Sequence, residues 1–338
     1  MDLQTLWFVA VAVLWTGFLL LEGFDFGVAV LLPVLGRRPA DRHLALRTIG
    51  PLWDGNEVWL ITAAGAVFAA FPGWYATWLP ALYLPFVLVL LGLIVRAVAF
   101  EWRHSHHDER WDSTWTHVIT VGSLVAALGV GAALGATTLG LPIDADGIRV
   151  GGAFAGVGWS ALLGAAAVLG FSLVHGAVFL ALKVEGPVRT AAWTFARRWS
   201  PLAALPLLAW AGLVHLRSGT PATAVLWLVA ALAVLVAWAF LRVDREGAAF
   251  SAWSVLLLAS AATVFGAAYP VVVPSTIDAA FDVTVADASV SDYTLTVMTW
   301  VAGVGLPVVL GYQAWTYWVF RKRLTADPET PAPAQVPA

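Results

Sequence analysis

Apolar residues fill this chain in long runs broken by short polar stretches, and the runs have a length that a lipid bilayer demands. A hydrocarbon core of about 30 Å takes about 20 residues of helix to cross. Nine such runs are legible: Leu6–Leu35, Pro51–Phe71, Tyr75–Phe100, Thr116–Leu139, Val157–Leu182, Pro201–Leu216, Ala222–Leu241, Ala249–Val273 and Tyr293–Phe320. The pattern predicts an all-α, polytopic membrane protein of about nine transmembrane helices. It forms one integral membrane domain over 1–326, with pseudo-repeat halves near 1–140 and 150–273 and a last helix at 293–320. The first run follows Met1 and Asp2 without a basic stretch or a small-residue cleavage site, so it reads as a span and not as a removable leader. The Pro/Ala-rich stretch 327–338 is expected to be a disordered tail.

Composition agrees. Of 338 residues, 60% are hydrophobic and only 12% charged, more apolar surface than a water-soluble core of this size can hide. The absence of Cys excludes disulfides, thiolate metal sites, iron–sulfur clusters and cysteine nucleophiles. No nucleic-acid partner is expected.

The cations set an orientation, because Lys and Arg near span ends stay on the cytoplasmic side. Fifteen of the eighteen fall in alternate breaks: Arg37, Arg38, Arg42 and Arg47; Arg103 and Arg110; Lys183, Arg189, Arg197 and Arg198; Arg242 and Arg245; and Arg321, Lys322 and Arg323. The opposite breaks hold Asp144, Asp146, Asp278, Asp282, Asp287 and Asp292 against Arg149 and Arg217. The N-terminus is therefore expected outside and the C-terminus in the cytoplasm. Many of the nineteen Trp, among them Trp53, Trp74, Trp78, Trp102, Trp111, Trp115, Trp199, Trp315 and Trp318, sit near span ends and read mostly as an interfacial aromatic belt.

Ionisable groups inside spans are costly, about 2.5–3.5 kcal/mol each on insertion scales, so each calls for a partner or a function. Glu22 and Asp25 lie three apart on one helix face of the first span, roughly 20 Å and 15 Å below its cytoplasmic end. The second span opens Pro51-Leu-Trp-Asp54-Gly-Asn-Glu57, with Pro51 suited to the first helical position. Asp54 and Glu57 then sit roughly 5 Å and 9 Å deep, and the four carboxyls make a ladder from the cytoplasm to mid-membrane. Arg96 in the third span reaches a similar depth and is a candidate for a buried ion pair with one of them. Two readings stand. Asp54 caps a helix and Glu22 and Asp25 are a structural charge or hydrogen-bond pair, or the four form a proton relay. His175 in the fifth span is either a satisfied core group or a member of that path, while His117 and His215 lie near span ends. The His104, His106, His107 cluster reads as a solvated loop before it reads as a metal site.

What the chain lacks points to a partner. Haem needs axial His, Met, Cys or Tyr in the bundle core, and apart from Met1 only Met298 is present, with one mid-span His. No phosphate-cradling loop, dinucleotide fingerprint or nucleophile elbow appears.

The motifs Glu22-Gly-Phe-Asp-Phe-Gly27, Trp53-Asp-Gly-Asn-Glu-Val-Trp59 running into Leu60-Ile-Thr-Ala-Ala-Gly65, and Phe71-Pro72 resemble the subunit II proteins of cytochrome bd quinol oxidases. So do Arg96-Ala-Val-Ala-Phe-Glu-Trp-Arg103, Tyr269-Pro270, Val273-Pro-Ser275, and Leu295-Thr-Val-Met-Thr-Trp300 followed by Tyr312 to Trp318. The resemblance runs end to end. It implies two four-helix bundles plus one helix in a bacterial cell membrane, paired with a haem-bearing subunit I that holds haem b and haem d, oxidises quinol and reduces O2 to water. Small single-span accessory subunits, membrane lipid and, in some members, a structural quinone belong to that picture. The acid before Gly-Phe-Asp maps onto Glu22 and the Trp-Asp-Gly-Asn acid onto Asp54, with Asp25 beside them, as proton-path residues. Some members carry Gln where Glu57 stands, and the stretch Arg217 to Pro221 is shorter than in longer members. No residue here is expected to be catalytic. The rival reading is a proton-coupled secondary transporter, which predicts discontinuous helices around a midplane pocket.

Overall fold

The computed structural model describes residues 2–36, 38–105 and 108–325. The tail 327–338, Arg37, His106 and His107 lie outside the described residues. The chain is almost wholly helical: α1 (Leu3–Leu35), α2 (Pro39–Ile49), α3 (Trp53–Ala70), α4 (Pro72–Ala81), α5 (Tyr83–Trp102), α6 (Glu109–Leu139), α7 (Trp159–Lys183), α8 (Pro187–Ser218), α9 (Pro221–Arg242) and α10 (Glu246–Ala268). A two-stranded ribbon, β1 (Val271–Val273) and β2 (Val283–Thr284), then leads through the short α11 (Val285–Ala288) to α12 (Asp292–Val319). The strands are antiparallel, with Val271 opposite Thr284 and Val273 opposite Val283.

Among the described residues, eight helices are long and apolar enough to cross a membrane, namely α1, α5, α6, α7, α8, α9, α10 and α12. The expected second span is α3, 18 residues whose first turns carry Asp54, Asn56 and Glu57. It starts at Trp53, so Pro51 occupies the preceding turn and not the first helical position.

Three boundaries differ from the sequence pattern for local reasons. The run Tyr75–Phe100 is broken at Leu82 into α4 and α5. Pro85 has no N–H to give the carbonyl of Ala81 four residues back, and that carbonyl accepts instead from Arg149 Nη1 at 3.0 Å. The run ending at Val273 leaves the helix at Ala268, ahead of Pro270, and Val271–Val273 becomes β1. The sixth run begins not at Pro201 but at Pro187, roughly four turns earlier. Arg197 and Arg198 mark no boundary, since Arg197 pairs with Asp244 at 3.4 Å from within α8. The polar stretch after span one also hides a helix, α2, whose start is fixed by Arg38 and Asp41 hydrogen-bonding each other.

Packing follows small residues. A Cβ on Gly27 would stand 1.8 Å from the Ser172 carbonyl oxygen, and one on Gly176 would stand 2.5 Å from the Val28 nitrogen, so α1 and α7 cross backbone to backbone. Gly92 against Gly122 and Gly131 against Gly164 do the same for α5 with α6 and α6 with α7. In lipid, where apolar contact alone does not favour helix association, such close approach supplies the dispersion energy. One group gathers α1, α3, α5 and α6, another gathers α7 to α10, and the two meet where α1 and α6 lie on α7. Helix α12 stands apart, touching α1 and α3 along one edge and exposed along most of its length. The buried indoles of Trp74 and Trp78 belong to the core and not to an interfacial belt; Trp78 Nε1 donates to Thr137 Oγ1 at 2.6 Å. Trp102, Trp199, Trp315 and Trp318 remain exposed.

Charge separates along the helix axes. Arg42, Arg47, Arg103, Lys183, Arg189, Arg197 and Arg323 gather at the end where α2, α7 and residues 321–324 meet. Asp144, Asp146, Asp282 and Asp287 gather at the other, around Leu141, which is bridged to Ser275.

Candidate functional site

Where α1, α3, α5 and α12 converge, their polar side chains meet inside the apolar bundle. Glu22 and Asp25 are fully buried one turn apart on α1. Arg96 of α5, also fully buried, donates from Nη1 to Glu22 Oε1. Gly122 of α6 makes room for it, because a Cβ there would come within 3.0 Å of the Arg96 Cβ. The guanidinium lies 5.1 Å from the Phe26 ring centre, 5.6 Å from that of Phe100 and 5.8 Å from that of Trp53. Such cation–π contacts recover part of the hydration the charge has lost. Trp53 and Phe100 stack on each other at 5.0 Å, forming an aromatic cover over the pair.

Asn56 carries the connection between helices. Its Nδ2 donates to Asp25 Oδ2 at 2.7 Å, and its Oδ1 accepts from Tyr317 OH at 2.8 Å and Gln313 Nε2 at 3.4 Å. Gln313 Oε1 in turn accepts from Trp59 Nε1 at 2.8 Å. A continuous polar chain thus runs from α1 through α3 to α12. Two carboxyl oxygens, Glu22 Oε2 and Asp25 Oδ1, are buried without a protein partner, as are Arg96 Nε and Nη2.

The sequence places Glu22, Asp25 and Arg96 where the structure brings them together. The carboxyls of α3 stand differently. On a helix with 3.6 residues per turn, Asn56 faces inward with Ala63 and Ala70 while Asp54 looks outward. Asp54 is exposed, with no capping hydrogen bond, and Glu57 is half-buried within electrostatic range of Arg96. The ladder therefore has two rails, an outward one on α3 and a buried one on α1, with Asn56 between. Asn56, Gln313 and Tyr317 escape a search for charges. The signal that finds them is the repeated placing of amides and phenols within otherwise apolar spans.

His175 is buried nearby, with Nε2 donating to the Leu20 carbonyl at 3.0 Å and its ring packed on Phe171 and Phe250 at 4.7 and 4.6 Å. It is the one fully buried histidine among the described residues. Together with Met298 on α12 and no Cys, this donor set does not fit haem, since a single buried imidazole falls short of the axial ligands several haems need. His117 Nδ1 engages the Ser113 carbonyl and His215 Nδ1 engages Thr223 Oγ1. The described residues contain no metal-holding cluster of three His, Cys, Asp or Glu.

Comparison with known proteins decides the family. The profile of the cytochrome bd terminal oxidase subunit II family matches residues 3–320. The chain belongs to the cytochrome bd oxidase subunit II family. It is 38% identical over 330 residues to the cytochrome bd ubiquinol oxidase subunit 2 of Bacillus subtilis (strain 168), covering 96% of this chain and 97% of that one. It is 32% identical over 364 residues to the cytochrome bd-I ubiquinol oxidase subunit 2 of Escherichia coli (strain K12), covering 96% of both. The fold matches a chain in the structure of the bd oxidase from Geobacillus thermodenitrificans, with a TM-score of 0.77 and 16% identity over 95% of this chain and 99% of that one. The protein is thus a multi-pass subunit of a haem-containing respiratory oxidase in the bacterial inner membrane, and a subunit I is its partner.

Proposed function

We propose that this chain is the haem-free subunit that supports quinol oxidation and O2 reduction by a haem-bearing subunit I, and that its buried polar cluster delivers protons from the cytoplasm. The observation that carries this is the Glu22–Arg96 and Asp25–Asn56–Tyr317 chain, buried in lipid-spanning helices, with carboxyl oxygens left open on both acids. Protons enter at exposed Asp54, pass Glu57 and reach Asp25 and Glu22 across Asn56. Carboxyls can hand on a proton when water reaches their open lone pairs, while the Asn56 amide holds Asp25 in place by its hydrogen bond. The haems b and d lie on the partner, as does the quinol that is oxidised; a structural quinone and small accessory subunits are compatible with the exposed apolar faces.

The orientation that fits is N-terminus outside, with the cation-rich end cytoplasmic, and α3 is the ninth span. The partner covers the outward side of α3 and α12, where Ile61, Phe68, Trp300, Val304 and Tyr312 are all more than half exposed. The transporter reading has less support. Its broken helices are absent around the cluster, since α1 and α7 run unbroken past Glu22, Asp25 and His175.

The test is turnover in the purified complex with its full haem spectrum. Asp25→Asn is expected to slow quinol-driven O2 consumption at least about tenfold. Wild-type turnover with intact haem bands would overturn the proton-delivery role.

A further inference from the structure

We infer that the cation-rich end of the molecule holds a binding site for a phosphate-bearing anion. A cavity of about 480 Å³ opens there between α2, the C-terminal ends of α5 and α7, and the segment following α12. Its ionisable lining is His43, Arg47, Arg103 and Lys183 against the single acid Glu101. Trp53 and Phe100 form its inner wall, so the cavity lies over the aromatic cover of the Glu22–Arg96 pair.

Lys183 is held by neutral groups, and Arg103 keeps an unmet donor beside its ion pair. Lys183 Nζ donates to the carbonyls of Phe320 and Lys322, which hold the ammonium in place but carry no net charge to offset it. Arg103 is 4% exposed; one nitrogen pairs with Asp112 at 2.6 Å, and its Nε has no partner. A buried guanidinium with an unmet donor is a costly arrangement unless an acceptor arrives. Phosphate oxygens meet that need, since Arg engages phosphate through several N–H groups and Lys as a point charge. The backbone keeps Lys183 fixed for this role. Leu324 N donates to the Lys183 carbonyl and Arg323 Nε to that of Leu182, strapping residues 321–324 across the end of α7.

The same oxygens are offered by an anionic lipid headgroup at the membrane face and by free phosphate. The site is independent of the proton-delivery reading, and binding is its readout. The oxidase complex, reconstituted in phosphatidylcholine nanodiscs, is titrated with inorganic phosphate against chloride at equal ionic strength. In parallel it is reconstituted with increasing phosphatidylglycerol, and thermal stability is followed. Saturable stabilisation by phosphate identifies a free anion as sufficient; stabilisation by phosphatidylglycerol alone identifies the lipid headgroup. Lys183→Met and Arg103→Gln should weaken the effect at least about tenfold, as loss of a charge-assisted contact does. Glu101→Gln should strengthen it, a change that misfolding cannot imitate. No response beyond that to chloride in either series, or a response that Glu101→Gln leaves unmoved, overturns the site.

Discussion

Glu22 on α1 and Arg96 on α5 are paired with both side chains fully buried, 74 residues apart in sequence. Removing one partner of such a pair strands the other charge in a low-dielectric interior, whereas replacing both is far milder. Glu22→Gln is therefore expected to destabilise the subunit by about 3–5 kcal/mol. The double variant Glu22→Gln with Arg96→Met should recover most of the assembled complex. Thermal midpoints of the haem-loaded complex measure both, and a double variant no better than the single would refute the pairing.

Asn56 receives two donors at Oδ1 and gives one hydrogen bond to Asp25, so its partners are not equal in weight. Tyr317→Phe removes one donor while Gln313 remains, a loss of about 1 kcal/mol. Asn56→Leu strips Asp25 of its only side-chain donor among the described residues and breaks the polar link from Asp25 to Tyr317, leaving Trp7–Thr299 to join α1 to α12. Turnover should fall in the order wild type, Tyr317→Phe, Asn56→Leu; equal turnover in all three would remove Asn56 from the path.

Glycines distinguish inner packing from outer surface. Gly27→Ala forces a methyl into the Ser172 carbonyl of α7, while a Cβ on Gly65 would meet no other element within 4 Å. Gly27→Ala should abolish accumulation of the subunit. Gly65→Leu should leave the chain itself folded but reduce recovery of subunit I, if the exposed side of α3 is the proposed interface. Undiminished co-purification with Gly65→Leu would place the interface elsewhere.

Outside the membrane, Asp41 is buried at the start of α2, and its hydrogen bonds with Arg38 hold its carboxyl below the usual range. A folded-state value below the unfolded one gives stability that is present above the unfolded pKa, near 4, and is lost as pH falls through the lower folded value. Hydrogen exchange of α2 should thus accelerate below about pH 4. Asp41→Asn should remove that acid step; an unchanged acid profile in the variant would show that another group sets it.

The spans were legible because lipid allows so few backbone solutions that apolar length alone nearly determines them. The errors fall where a local hydrogen bond outweighs composition. Pro85 breaks a run that is apolar throughout, and residues 39–49 form a helix despite reading as a charged loop. In the site, formal charge pointed to Glu22, Asp25 and Arg96, which must find partners inside the bundle. It could not point to Asn56, because the choice between Asn56 and Asp54 depends on which side of α3 meets α1, two residues and about 200° apart on the helix.

The sparse packing of α12 bears on how the subunit is made. Gln313 and Tyr317 reside on α12, which leaves the ribosome after every other described helix and is held to the bundle chiefly by their bonds to Trp59 and Asn56, by Trp7 Nε1 to Thr299, and by the strap that follows it. Until α12 is made, Asn56 lacks both of its donors. Synthesis order thus becomes assembly order: the polar chain between the helices closes only once α12 is in place, and a chain terminated before it is left with the Asn56 carbonyl oxygen unmet.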